Sequence, residues 1–368
     1  MRISRITLTH VRIPLGEPFR ISNGEVAEKD GIVCAVDADG LTGYGESSPM
    51  AGSFYSTDTP ESCWRQLIDE LAPALLARSF TTLHEASEWI DQQPGSNFAK
   101  AGLETALWDI EAQRLGLPLH RLLGASRDHA ESGLAVGLYD DTGQLLNTIA
   151  KYLPDGYKRV KIKICPGHDI ALVEAVRARF GDIPLMTDAN ASYSLAGQAI
   201  YQKLDEFGLR MYEQPLKGDA LEDSAILQTQ IQTPICLDES LESFHDLERA
   251  AALQSFRIAN IKIQRVGGFR NALKLYHRCR ELGLSIWIGT MPELGIGQAQ
   301  GAAMSALPAC DYPTDVEASL RWFQDDIIHP FLEVRDGCIP LPQTPGLGYI
   351  VDEAKLQRYL VARQVIEQ

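Results

Sequence analysis

The chain has 368 residues, 45% hydrophobic and 23% charged, and a formal net charge of −15. That acidity excludes a nucleic-acid backbone as partner, which demands a basic face, and no apolar run reaches the ~18 residues of a membrane span. The seven cysteines are scattered, with no C-x-x-C pair, so they read as reduced, mostly buried thiols rather than zinc ligands or a disulfide framework.

Residues 1–6 alternate polar and apolar as a strand does and hold no apolar signal stretch, which predicts a cytoplasmic protein. Strands are expected over 3–13, 31–37 and 41–46, the last two joined by the turn Asp39-Gly40. Apolar residues at helical spacing follow over 61–77, 82–92 and 98–115. Residues 1–125 thus read as an α+β unit. From Gly133 the pattern changes to short β-rich runs alternating with helical stretches, which is how a parallel sheet with crossover helices is written. Strands are predicted at 132–137, 159–164, 185–188, 209–213, 235–238, 258–262 and 285–289, with a weaker eighth at 312–317. Helices are predicted between them at 169–180, 194–207, 243–254, 268–282 and 295–307. The fold class is therefore α/β, a modified (β/α)8 barrel over 126–321 with an α+β capping domain. Residues 322–368, with a final helix from Asp352, are expected to cross back and complete that capping domain.

Lys163, Asp188, Glu213, Asp238 and Lys262 are separated by 25, 25, 25 and 24 residues. A βα unit of such a barrel averages roughly 30 residues, so each of the five occupies the same place in successive units. If that place is the C-terminal end of a strand, all five converge on one mouth. In Val160-Lys161-Ile162-Lys163-Ile164 the strand period puts Lys161 and Lys163 on one face. Taken alone, the pair also suits a solvated edge strand, and a single acid at a strand end also suits a helix N-cap. Three acids in register between lysines point instead to a shared cation. Oxygen-only ligands favour a hard ion, Mg²⁺ with Mn²⁺ as its substitute. Strands two and six lie half a turn apart, so Lys163 and Lys262 face opposite sides of a bound substrate. Such an arrangement permits proton removal on one face and return on the other, or stabilisation by the second cation.

These residues resemble the enolase superfamily, within it the muconate lactonizing enzyme subgroup. The likeness is carried by Lys161-Ile162-Lys163, Glu213-Gln214-Pro215, Asp238-Glu239-Ser240, Lys262 before Gly267-Gly268, and the helix from Ala99 to Asp109. It implies a capping domain over the barrel, Mg²⁺ on Asp188, Glu213 and Asp238, and acid/base roles for Lys163 and Lys262 assisted by Lys161. Asn190 and Glu239 are implied to support the ligands from behind, and a symmetric homo-oligomer is implied as well. Phe19-Arg20-Ile21-Ser22 and Met50 to Ser56 look like the substrate-covering loops of o-succinylbenzoate synthases and N-succinylamino acid racemases, which nominates Arg20, Phe54 and Tyr55. Arg265 fits the racemising members. Two stretches depart from that group: Ile263-Gln264 replaces a Pro-Gly pair, and Thr290-Met291-Pro292-Glu293-Leu294 differs at strand seven. Both are expected where substrate tails are read, which nominates Met291 and Glu293.

The resemblance implies abstraction of the proton α to a carboxylate through an enediolate, in a dehydration giving o-succinylbenzoate, in racemisation of N-succinylamino acids, or in both. Alternatives in the same class are a dipeptide epimerase, for which the segment Asp315-Val316-Glu317, and in it Glu317, would bind the substrate ammonium, and a muconate-type cycloisomerase. Glu317 reads first as a loop or capping acid, the default in so acidic a chain. A non-catalytic barrel protein would show losses among the five ladder residues, and none is lost. The partner implied is a small carboxylate substrate.

Overall fold

The structure is a computed structural model, describing residues 1–52 and 54–367; Ser53, in the second expected covering loop, lies outside the described residues. The N-terminal part is a four-stranded antiparallel sheet in the spatial order Leu360–Glu367, Ile3–Ile21, Gly24–Ala38, Leu41–Ser47. The Asp39-Gly40 turn has φ of +51° and +82°, the left-handed pair that matches strand twist in a tight hairpin. The first hairpin runs further than the expected 3–13. Its pairing lapses between Pro14 and Phe19, then resumes with Phe19 opposite Val26 and Ile21 opposite Gly24. Pro14 and Pro18 break the alternation that a sequence pattern relies on.

The helix Asn97–Arg114 lies across this sheet, opened by Ser96, whose side chain accepts from Phe98 N and Ala99 N. It packs close because Gly43 and Gly45 carry no side chain: a Cβ there would sit 2.2 Å from Ala106 O and 2.0 Å from Gly102 O. The expected helix over 61–77 is divided into Pro60–Gln66, a wide π turn at Leu67–Leu71, and Ala72–Leu76. The strand Leu360–Glu367, which sequence reading missed, follows the short helix Glu353–Arg358 and pairs antiparallel with Ile3–Ile21. It is an edge strand with mostly exposed or half-buried residues, so it lacks a buried face to announce it.

Seven parallel strands follow in sequential order: Leu134–Val136, Val160–Lys163, Leu185–Asp188, Tyr212–Glu213, Ile235–Leu237, Ile258–Ile261 and Ser285–Ile288. The expected eighth strand over 312–317 is not a ladder. Single parallel bridges, Ser132 to Thr314 and Ile286 to Cys310, close the ring there instead. Pro313 lacks the N–H that a continuous ladder needs. Met186, Met211, Cys236, Ile258 and Trp287 form a small apolar cluster of their own. They share strand parity with Lys161, Asp188 and Glu213, so they fill the barrel interior beneath those residues. Val160, Ile162, Leu185, Ile235 and Ile261 take the other parity and join the main core.

Two carboxylates of the N-terminal part cap barrel helices. Glu104 accepts from Phe269 N at 2.8 Å and Arg270 N at 3.1 Å, at the start of Phe269–Glu281. Glu46 accepts from Leu294 N and Gly297 N, each at 2.8 Å, at the start of Gly295–Ser305. Each satisfies N–H groups that the helix cannot and opposes its dipole. No helix among the described residues is long and apolar enough to cross a membrane.

Candidate active site

The ladder residues meet at the C-terminal ends of the barrel strands. Register pairs Lys163 with Asp188 and Asp188 with Glu213, while Glu213 pairs with Cys236, two residues before Asp238. Lys161, Lys163, Asp188, Glu213, Asp238 and Lys262 are all buried. Charges so placed need partners, and each has one.

Lys163 Nζ donates to Asp188 Oδ2 at 2.5 Å and Asn190 Oδ1 at 2.9 Å. Lys161 Nζ donates to Glu213 Oε2 at 3.1 Å and to Asp315, and lies 3.7 Å from Asp188. Across the ring, Lys262 Nζ donates to Asp238 Oδ2 at 2.9 Å and to the Tyr55 hydroxyl at 3.1 Å. Arg265 Nη1 holds Asp238 Oδ1 at 2.6 Å, and its Nη2 donates to the Tyr55 hydroxyl. Asn190 Nδ2 donates to Glu239 Oε1 at 2.9 Å, which ties the third strand end to the fifth. Asn260 Nδ2 donates to Glu213 Oε1 at 2.8 Å.

The electrostatics follow from burial set against these partners. Burial opposes the Lys161 charge, but Asp315, Glu213 and Asp188 outweigh it and hold the ammonium well above its usual range. Burial, and then repulsion from Asp188, push Glu213 up to about 8. Asp238 is desolvated too, yet Arg265 and Lys262 hold its carboxyl well below the usual range. Burial, with repulsion from Asp238 and Asp188, raises Glu239 to about 7.

Among the described residues, no group of three or more His, Cys, Asp or Glu side chains is placed, as it stands, to hold a metal ion. Asp188, Glu213 and Asp238 are each turned onto lysine or arginine nitrogens. The donor set nevertheless fits a hard divalent cation: three carboxylates, oxygen only, on consecutive strand ends. Glu213 is crowded by Asp188 and Asp238 in a desolvated place, a repulsion that a cation between them would relieve.

A cavity opens above this ring. Its polar lining is Lys161, Lys163, Asp188, Asn190, Lys262, Thr290 and Asp315, and its apolar lining includes Phe19, Ile21, Met50, Met291 and Trp322. Phe19 and Trp322 meet edge to face at 4.8 Å. Of the residues nominated for substrate contact, Tyr55 and Met291 line the cavity. The other four do not. Arg20 turns outward to Asp140 at 2.8 Å, because strand alternation sends its neighbours Phe19 and Ile21 inward. Phe54 lies over Gly24, where an added Cβ would be 2.6 Å from its ring. Glu293 is buried behind the strand-seven loop, accepting from Met291 N at 2.9 Å, and burial and Glu46 push it up to about 8. Glu317 accepts from Ala135 N at 2.8 Å and faces Arg321 at 3.5 Å, outside the cavity.

Sequence reading passed over Asn260 and Trp322; it named Thr290 and Asp315 only as parts of the 290–294 and 315–317 stretches, and both line the cavity. Asn260 was within reach, since strand parity puts it on the face of Lys262. Asp315 lines the cavity while held by Arg159 Nη2 at 2.8 Å and by Lys161. Arg159 continues the inward face of Lys161 and Lys163 and lies 5.0 Å from the Trp287 ring centroid. Trp322 reaches the cavity from beyond the barrel and carries no local signal.

Comparison with known proteins agrees with this architecture. Residues 144–355 match the family described as enolase C-terminal domain-like, and residues 3–124 match the mandelate racemase / muconate lactonizing enzyme N-terminal domain. The chain is 41% identical over 360 residues to an o-succinylbenzoate synthase of Geobacillus kaustophilus, covering 98% of this chain and 96% of that protein. It is 38% identical over 349 residues to an N-succinylamino acid racemase of Amycolatopsis sp, covering 95% of each. A solved enolase superfamily member from Listeria innocua superposes with a TM-score of 0.95 at 34% identity, over 100% of this chain and 99% of that one. A capping sheet, a ring of lysines and carboxylates at the barrel mouth, and these matches over nearly its whole length place the chain in the enolase superfamily, on the mandelate racemase / muconate lactonizing enzyme branch.

Proposed function

We propose that the chain is an enzyme that removes the proton α to a carboxylate through an enediolate, as an o-succinylbenzoate synthase, an N-succinylamino acid racemase, or both. The observation that carries this reading is Lys163 and Lys262 lining one cavity from strands two and six, with the three carboxylates between them. The two named relatives perform one or the other conversion by name, which supports the same pair.

Asp188, Glu213 and Asp238 would hold a divalent cation, Mg²⁺ or in its place Mn²⁺. When bound, it supplies positive charge to the substrate carboxylate and lowers the cost of removing the neighbouring proton. In dehydration, Lys163 takes the α-proton and returns a proton to the departing hydroxyl, which leaves as water, while the Lys262 ammonium faces the developing negative charge. In racemisation, one lysine takes the α-proton from its face and the other, as ammonium, delivers a proton to the opposite face. Asn190 and Asp188 hold Lys163 at one side, and Asp238 and Tyr55 hold Lys262 at the other. Phe19, Trp322 and Met291 keep water from the reacting face.

The dipeptide epimerase reading has less support. Glu317 is outside the cavity, and Asp315, which is inside it, is already held by Lys161 and Arg159. The division into a capping domain of 1–125 with 322–368 and a barrel of 126–321 belongs to the same proposal, as do a cytoplasmic setting and a homo-oligomer. Deuterium incorporation from D₂O at the α-carbon of N-succinylamino acids, and dehydration to o-succinylbenzoate, test the reading directly. Metal-dependent exchange or dehydration that EDTA abolishes is expected; absence of both sinks it.

A further inference from the structure

Ile263 and Gln264 stand directly after Lys262, and neither lines the cavity. Gln264 is fully buried and makes two hydrogen bonds to one stretch of the capping sheet. Its Nε2 donates to Glu46 O at 2.7 Å, and its Oε1 accepts from Ser48 N at 3.0 Å. The amide thus takes the place that a neighbouring strand would take against this backbone. The Glu46 carboxylate fixes the same stretch from the other side, on Leu294 N, Gly297 N and Ser48 Oγ. The covering segment that carries Met50 and Tyr55 into the cavity leaves from this anchored root. The Tyr55 hydroxyl then returns to Lys262 Nζ at 3.1 Å and to Arg265 Nη2. On either side of Ser53, which lies outside the described residues, the covering segment meets the stretch Lys262–Arg265: at its root through Gln264, and at Tyr55 through Lys262 and Arg265.

We infer that Gln264 is a positioning residue for Lys262 and acts through the covering segment and Tyr55. The inference rests on the reading that Lys262 and Lys163 exchange protons on opposite faces of the substrate. A Pro-Gly pair at these positions would supply neither of the two bonds. Gln264→Leu keeps the size of the side chain but leaves Glu46 O and Ser48 N without it, so the root of the covering segment loosens and Lys262 keeps Asp238 but loses the fixed Tyr55 hydroxyl that sets its direction. Lys163 is held by Asp188 and Asn190 on the far side of the ring, outside these contacts.

The test follows α-proton exchange in D₂O separately for the two enantiomers of N-succinylphenylalanine, a probe suited to the apolar lining. Lys262→Ala and Lys163→Ala assign each enantiomer to a face. Gln264→Leu is expected to slow the Lys262-dependent enantiomer roughly tenfold or more, and to leave the Lys163-dependent one within about twofold. Adding Tyr55→Phe is expected to slow exchange little further than the slower single variant, since both changes weaken the same hold on Lys262. Should Gln264→Leu fail to fold, Gln264→Met makes the same comparison. Equal slowing of both enantiomers, slowing of neither, or fully additive losses with Tyr55→Phe would overturn the role of Gln264 alone. An unmutated enzyme that exchanges neither enantiomer, or only one, overturns the two-face reading and this role with it.

Discussion

Asn260 Nδ2 donates to Glu213 Oε1 at 2.8 Å while Lys161 Nζ donates to Glu213 Oε2 at 3.1 Å, so both oxygens of the central carboxylate are oriented by buried side chains. Asn260→Ala removes one of these supports without touching the cavity lining. Groups that orient a metal-binding carboxylate typically contribute 10- to 100-fold in metal affinity, so Mg²⁺ binding should weaken by about that factor. Calorimetric titration with Mg²⁺ checks this; unchanged affinity would refute the role.

Lys163→Ala should abolish both dehydration and exchange at its own face, a loss of at least ~10²-fold for a general base. Lys262→Ala should abolish racemisation while sparing part of the dehydration, which uses it only as a cation. Rates on both substrate types separate the two; equal losses for the two variants in both reactions would contradict the division of labour.

Asp326 gives a pH dependence away from the site. Its Oδ1 accepts from Gly295 N at 2.9 Å and Ile327 N at 2.7 Å, yet burial pushes the carboxyl up to about 6. A raised folded-state value means that the folded chain binds the extra proton, so this contribution is complete below the unfolded value and is lost as pH rises toward about 6. Asp326→Asn keeps the acceptor and removes the ionisation. The variant should gain stability over the unmutated chain at pH ~8, by up to about 3 kcal/mol, and the gain should vanish near pH ~4. Thermal melts at the two pH values measure it; a gain independent of pH would be the wrong sign of cause.

Glu104→Ala leaves Phe269 N, Arg270 N and the Trp108 indole without their acceptor. Loss of a buried helix cap should cost about 2 kcal/mol or more. A lower melting temperature is expected, with Lys163-dependent exchange near its unmutated rate in the folded fraction.

The ladder was legible because it is local: each of its residues ends an apolar run, and strand ends repeat once per βα unit. The same logic makes Asn260 legible, by parity with Lys262. Arg20 shows where the resemblance slips: it is nominated as part of a covering loop, but the stretch pairs as a strand, which sends Phe19 and Ile21 inward and Arg20 outward to Asp140. Trp322 and the strand Leu360–Glu367 were not legible at all. Each is defined by a partner at the other end of the chain, Phe19 in one case and Ile3–Ile21 in the other. Gln264 was noticed as a departure and assigned to substrate reading, whereas its amide joins the capping sheet to the barrel.

The pairing of Leu360–Glu367 with Ile3–Ile21 also sets an order of events. On the ribosome the first three strands of the capping sheet are made before any barrel strand, and the fourth is made after all of them. The early hairpins must therefore wait with one edge unpaired while the barrel is synthesised, and the sheet gains its last strand only after every barrel strand has been made.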